Sequence, residues 1–165
     1  MRLQRGFSLI ELLIVVAIIL ILVALAIPSL QRSRMAANEA AAVSTLRTVT
    51  TTAIIYSTTY GNAYPPTLQA LGGPGAPATC DQSSLIDPVV ATPPSMKSGY
   101  RFVYVLGNPI AAPASGCSAV GGNSYTLQGN PIAPGGTGHR YFFVNQDGVI
   151  RQNLLGAAGP LDQPI

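Results

Sequence analysis

The sequence predicts an α+β protein. A long N-terminal α-helix, apolar enough in its first half to cross a membrane and amphipathic in its second, packs on a small antiparallel β-sheet head. Three observations carry this. Residues 7–30 hold 20 apolar residues in 24. Residues 29–60 contain neither Gly nor Pro. From residue 61 onward, 16 Gly and 13 Pro fall among 105 residues, broken by short aromatic and β-branched segments.

The apolar run comes first. A helix of 24 residues reaches about 36 Å at 1.5 Å per residue, enough for a hydrocarbon core of about 30 Å. A soluble core helix would show a polar face, and this run shows none. A cleaved secretory signal has an apolar region of about 7–15 residues, so the run is too long for one. A transmembrane helix fits, with Glu11 as its anomaly. An ionised carboxylate in the bilayer costs about 2.5–3.5 kcal/mol on insertion scales. Either Glu11 reaches water near the headgroups, or it meets a cation in an assembled state.

The helix is expected to continue past the membrane. Val43, Leu46, Val49 or Thr50, Ala53, Ile54 and Tyr60 recur at three- and four-residue spacing and mark an apolar stripe. Arg32, Arg34, Asn38, Glu39 and Arg47 read as its polar side. Four of the five residues at 48–52 are Thr, which lowers helix propensity and calls for tertiary cover. Pro28 removes the amide that would bond Ala24, so a kink or local melt is expected there.

Beyond residue 61 about four strands are expected. Segment 99–106 alternates aromatic and β-branched residues, and 124–128 is a shorter candidate. Segments 140–144 and 149–152 flank Asn145-Gln146-Asp147-Gly148, a hairpin signal because Asp-Gly suits turns with positive φ. Gly107-Asn108-Pro109-Ile110-Ala111 is repeated as Gly129-Asn130-Pro131-Ile132-Ala133. The two copies read as similar strand exits into loops.

The composition excludes much chemistry. The chain is 48% hydrophobic and only 9% charged, against about 25% charged in a typical soluble domain. One His and two Cys are too few for a zinc site. His139 stands alone and reads as a surface residue. No Ser/His/Asp arrangement or phosphate-cradling loop is present, so no enzyme, catalytic residue or cofactor is expected. Arg101, Arg140, Arg151 and Lys97 could form a weak basic patch. Nucleic-acid binding would need them on one face, and it is not the favoured reading. The tyrosines and phenylalanines read as helix–sheet core.

Residues 5–16, Arg5-Gly6-Phe7-Ser8-Leu9-Ile10-Glu11-Leu12-Leu13-Ile14-Val15-Val16, resemble the N-terminal signature of type IV pilins and pseudopilins. Ser8 stands where threonine is more frequent. The resemblance implies a cytoplasmic leader of residues 1–6, cut after Gly6 by a membrane prepilin peptidase that also methylates the new amine on Phe7. It implies that Glu11 pairs with that amine on a neighbouring subunit during assembly. Phe7 and Glu11, four residues apart, would then share a helix face. Pro28 matches the helix-loosening, kinking proline of the family. The expected layout is leader 1–6, transmembrane and assembly helix 7–30, amphipathic extramembrane helix 31–60 and globular head 61–165. Residues 64–71, with Tyr64, Pro65, Leu68 and Leu71, resemble the stretch after the helix in many pilin-like heads.

Further expectations follow from the resemblance. The partners are copies of the chain in a helical filament, the peptidase/methyltransferase, an assembly platform protein with its ATPase, and the inner membrane before assembly. The filament would end at the cell surface or as a periplasmic pseudopilus. With the head outside the cytoplasm, Cys80 and Cys117 are expected to form a disulfide; the alternative is two free buried thiols. Some major pseudopilins bind calcium near the C-terminus, but Asp147 and Asp162 form no recognisable ligand series, so no metal is assigned. The leading reading is a type IV pilus-like subunit. The alternatives are a pseudopilin of a type II secretion system and a minor pilin acting as a tethered DNA- or surface-binding module. Removal of Arg2 and Arg5 would reduce the formal charge of +3 to 7 basic against 6 acidic side chains.

Overall fold

The computed structural model describes residues 7–61, 63–73 and 77–165. The chain forms two compact units, Met1–Arg34 and Met35–Ile165. The element order is α1 (Leu9–Thr59), α2 (Leu68–Leu71), α3 (Pro88–Ala91), then six strands. These are β1 (Met96–Lys97), β2 (Tyr100–Pro109), β3 (Gly122–Pro131), β4 (Tyr141–Asn145), β5 (Arg151–Asn153) and β6 (Gln163–Pro164). They make one antiparallel sheet in the order β1-β2-β3-β4-β5-β6.

In the second unit, α1 buries one stripe made of Glu39, Ala42, Leu46, Val49, Ala53 and Tyr56. The apolar members share a core with Tyr100, Phe102, Leu127, Phe142 and Val144 from the inner face of the sheet. Strand alternation explains that face. Phe102 pairs Gly129, which pairs Phe142, and Tyr104 pairs Leu127, which pairs Val144.

The stripe departs from the sequence expectation. Ile54 is exposed, Val43 and Tyr60 are only partly buried, and Ala42 and Tyr56 lie inward instead. Asn38 and Glu39 are not on a solvent face; both contact the head. The Thr-rich stretch is helical under the tertiary cover it calls for, with Val49, Thr50 and Thr52 buried, and some hydroxyls of this region turn back onto the helix. Thr45, Thr48 and Thr52 donate to the carbonyls of Ala41, Ser44 and Thr48 at 2.9–3.0 Å.

The expected strands are present with shifted bounds. β3 runs well past 124–128 because β2 pairs with it along its length, from Tyr100↔Pro131 to Pro109↔Gly122. The two Gly-Asn-Pro copies therefore start inside strands, at opposite ends of this ladder. β5 starts at Arg151 rather than Val149. The Asp147 carboxylate takes the Val149 amide at 2.8 Å, and Ile150 turns inward. Gly148 supplies the positive φ of that turn at +74°.

The αβ connection is pinned at two points. The Tyr64 amide and carbonyl exchange hydrogen bonds with Gly122. Thr67 caps α2, whose Leu68 and Leu71 are buried. Gly138 is required where it stands, because a Cβ there would run into the Tyr100 ring and hydroxyl. That hydroxyl donates to the Arg140 carbonyl at 2.8 Å.

Candidate functional site: the N-terminal segment and the head contacts

Gly6 and the rest of the leader lie outside the described residues, so the cleavage site is described from Phe7 onward. Phe7 is 78% exposed and precedes the helix, with Ser8. The Ser8 carbonyl accepts the Leu12 amide at 3.3 Å. Ser8 thus stands at the helix N-cap, where Ser is favoured, and α1 begins at Leu9. Phe7 and Glu11 therefore do not share a helix face in this uncut chain, because the cap sets the first turn one residue beyond Phe7.

Glu11 is exposed in that first turn. A carboxylate there interacts favourably with the amide end of the helix dipole. The Ser8-x-x-Glu11 spacing is that of a capping box.

From Leu9 to Leu30 the helix is apolar on every side and nothing in the first unit covers it. Its apolar side chains remain exposed, from Leu9 at 80% to Val23 at 44%. This is the one helix among the described residues long and apolar enough to cross a membrane. Such a surface needs lipid or other apolar helices around it. α1 continues through Pro28, so of the kink or local melt expected there the melt is not seen.

The prokaryotic N-terminal methylation motif, the class III signal peptide of type IV pilins, matches residues 1–27. The match makes residues 1–27 similar to the N-termini of type IV pilins and pseudopilins. No curated protein and no solved structure matches it. The motif implies prepilin peptidase processing and filament assembly, and with the apolar helix it supports membrane anchoring before assembly.

The head is held by contacts of two kinds. Cys80 and Cys117 form a disulfide. Beside it the Asp81 carboxylate accepts from the Ser118 amide at 3.0 Å and its hydroxyl at 2.7 Å. These donors hold the Asp81 carboxyl below its usual range. Together they fasten the β2–β3 loop to the segment after α2. Tyr56 adds a 2.8 Å hydrogen bond to the Cys80 carbonyl.

The second contact was not foreseen. Glu39 on α1 is 7% exposed. One of its carboxylate oxygens accepts the amides of His139 at 2.8 Å and Arg140 at 3.2 Å. The other accepts Arg140 Nε at 2.6 Å. Burial by itself would raise this carboxyl, but the three donors outweigh it and hold the pKa below its ordinary value. Asn38 adds a bond from its amide nitrogen to the Thr137 carbonyl at 3.0 Å. Arg140 also donates to Gln152 at 3.1 Å and lies over the Phe142 ring.

Three of the four residues that could have formed a weak basic patch are paired with acids. Arg140 pairs with Glu39, Lys97 with Asp87 and Arg151 with Asp147. The His139 backbone serves Glu39 while the residue itself stays exposed. Asp162 accepts from Asn153 and from the Gly159 amide.

Proposed function

We propose that this chain is the structural subunit of a type IV pilus-like filament. It is trimmed between Gly6 and Phe7, methylated on the Phe7 amine, and packed into the filament by the apolar first half of α1. The observation that carries the proposal is the coincidence of the methylation motif over residues 1–27 with a helix whose apolar side chains are uncovered from Leu9 to Leu30. Lipid covers that surface in the stored subunit and neighbouring helices cover it in the filament. Residues 1–6 act as leader, 7–30 as membrane and assembly helix, and 61–165 with the second half of α1 as the head.

Glu11 supplies the register. In a lipid or helix-lined surrounding its charge is costly, and the Phe7 amine of a neighbour removes that cost only when the two subunits dock at one axial offset. Pro28 leaves the Ala24 carbonyl without its helical donor, giving the helix a point at which it can bend during packing.

Mass spectrometry of the chain from sheared surface filaments tests this reading. The expected mature N-terminus is methylated Phe7. Retention of residues 1–6 in the filament fraction, or absence of the chain from any filament, contradicts it. A chain that forms filaments only on overproduction alongside a secretion apparatus is a pseudopilin, and the assembly chemistry is unchanged.

A further inference from the structure

The two edges of the head sheet carry complementary surfaces. At one edge β1 pairs only two residues of β2, Tyr100 and Arg101. β2 beyond them borders an open groove of about 510 Å³ lined by Leu68, Pro93, Pro94, Val103 and Tyr104. Arg101 stands on its rim, exposed. Among the described residues the Arg101 side chain makes no ion pair or hydrogen bond, unlike Lys97, Arg140 and Arg151.

At the other edge, the connection between β5 and β6 is built as a knob. The Asp162 carboxylate closes its base, accepting Asn153 Nδ2 at 3.1 Å and the Gly159 amide at 2.7 Å. Asn153 Oδ1 takes the Leu155 amide at 2.9 Å. The outer surface of the sheet holds the loop from beneath, through Gln128 to the Ala158 carbonyl at 3.2 Å, with Ala158 buried. This rigid base presents Leu155 and Leu161, each 98% exposed. Asp162 meets only neutral donors among the described residues, and each of its oxygens keeps acceptor capacity.

We propose that the Leu155–Leu161 knob of one copy of this chain docks in the β2-edge groove of the next, with Asp162 of the first against Arg101 of the second. An unpaired cation on the groove rim and a carboxylate beside the knob supply the charge match. Groove and knob are different surfaces on opposite edges of one sheet. The contact is therefore heterologous and propagates head to tail rather than closing a two-fold dimer. It is small, so it acts in an array where packing of many subunits multiplies it. The inference rests on the filament reading and adds the head surfaces that meet.

The test places Leu155→Cys and Val103→Cys in the same full-length chain; both are exposed, and the native cysteines are already bonded. Filaments are sheared from assembling cells, oxidised mildly and run under non-reducing denaturing conditions. The double variant is expected to give a ladder of covalent oligomers, while each single variant stays monomeric. Adding Arg101→Glu, which removes no side-chain ion pair or hydrogen bond among the described residues, is expected to lower ladder yield about tenfold. Filaments without a ladder, dimers from Leu155→Cys alone, cross-links only to another protein, or indifference to Arg101→Glu overturn the head contact and leave the filament reading standing. A wild-type chain that yields no filaments overturns both.

Discussion

The carboxylate of Glu39 lies 2.6 Å from Nε of Arg140, 101 residues further along the chain. This contact ties the helix to the Gly-rich approach to β4, and the amides of His139 and Arg140 complete it. Replacing Glu39 by Ala leaves three donors without their acceptor. The expected loss is about 2–3 kcal/mol, below that of a fully enclosed pair because Arg140 keeps partial access to water. Glu39→Gln retains an oxygen for the two amides and is expected to cost less. Chemical unfolding of the full-length protein in detergent measures both, and equal stabilities would contradict the assignment.

The same carboxylate contributes to pH dependence. Its pKa is lowered in the folded state from the ordinary 4.5. A depressed carboxyl stabilises the fold fully above its unfolded value and loses that contribution as the pH falls through the folded one. Acidification below about pH 4.5 is therefore expected to narrow the stability gap between wild type and Glu39→Gln. Asp81, Asp87 and Asp147 are lowered too, so the difference between the two proteins is the quantity to follow. A gap that does not change with pH would argue against the charge at Glu39.

Reduction of Cys80–Cys117, which are separated by 37 residues, is expected to remove about 4 kcal/mol on the chain-entropy account. The paired Ser variant should match the reduced protein. The Asp81–Ser118 bonds span the same junction, so the loop stays near its place and the head remains folded. Unfolding curves with and without reductant measure the loss, and coincident curves would contradict it.

Leu46 and Ile54 separate the buried stripe from the exposed side of α1. Leu46 is 0% exposed and Ile54 is 49% exposed. Leu46→Ala is expected to cost about 2–5 kcal/mol, and Ile54→Ala within about 0.5 kcal/mol in the unassembled subunit. Comparable losses at the two positions would place the stripe wrongly.

The first half of α1 was legible from its unbroken apolar run, its second half from a three- to four-residue spacing, β2 from its alternation, and β4 from a short aromatic and β-branched run. The edge strands were not, since Met96-Lys97 and Gln163-Pro164 are too short for any pattern. Glu39 was read as solvent-facing because a single acid in an Ala-rich stretch usually is. Its spacing to Ala42, Leu46, Val49, Ala53 and Tyr56 follows the buried stripe, and that was the signal available. Its partners lie about 100 residues away, and two of the three donors are backbone amides, which no side-chain pattern reveals. At the N-terminus the motif was legible residue by residue. The start of α1 was set by the Ser8 carbonyl, and that is a property of backbone geometry.

In the proposed function Glu11 acts in assembly and not in insertion. The most direct measurement compares Glu11→Val with wild type, quantifying the trimmed chain in the membrane and the chain in sheared filaments. Equal membrane levels with normal trimming are expected, and a fall of about a hundredfold or more in filaments, the equivalent of about 3 kcal/mol per docking step. Wild-type quantities of filament from Glu11→Val would contradict it.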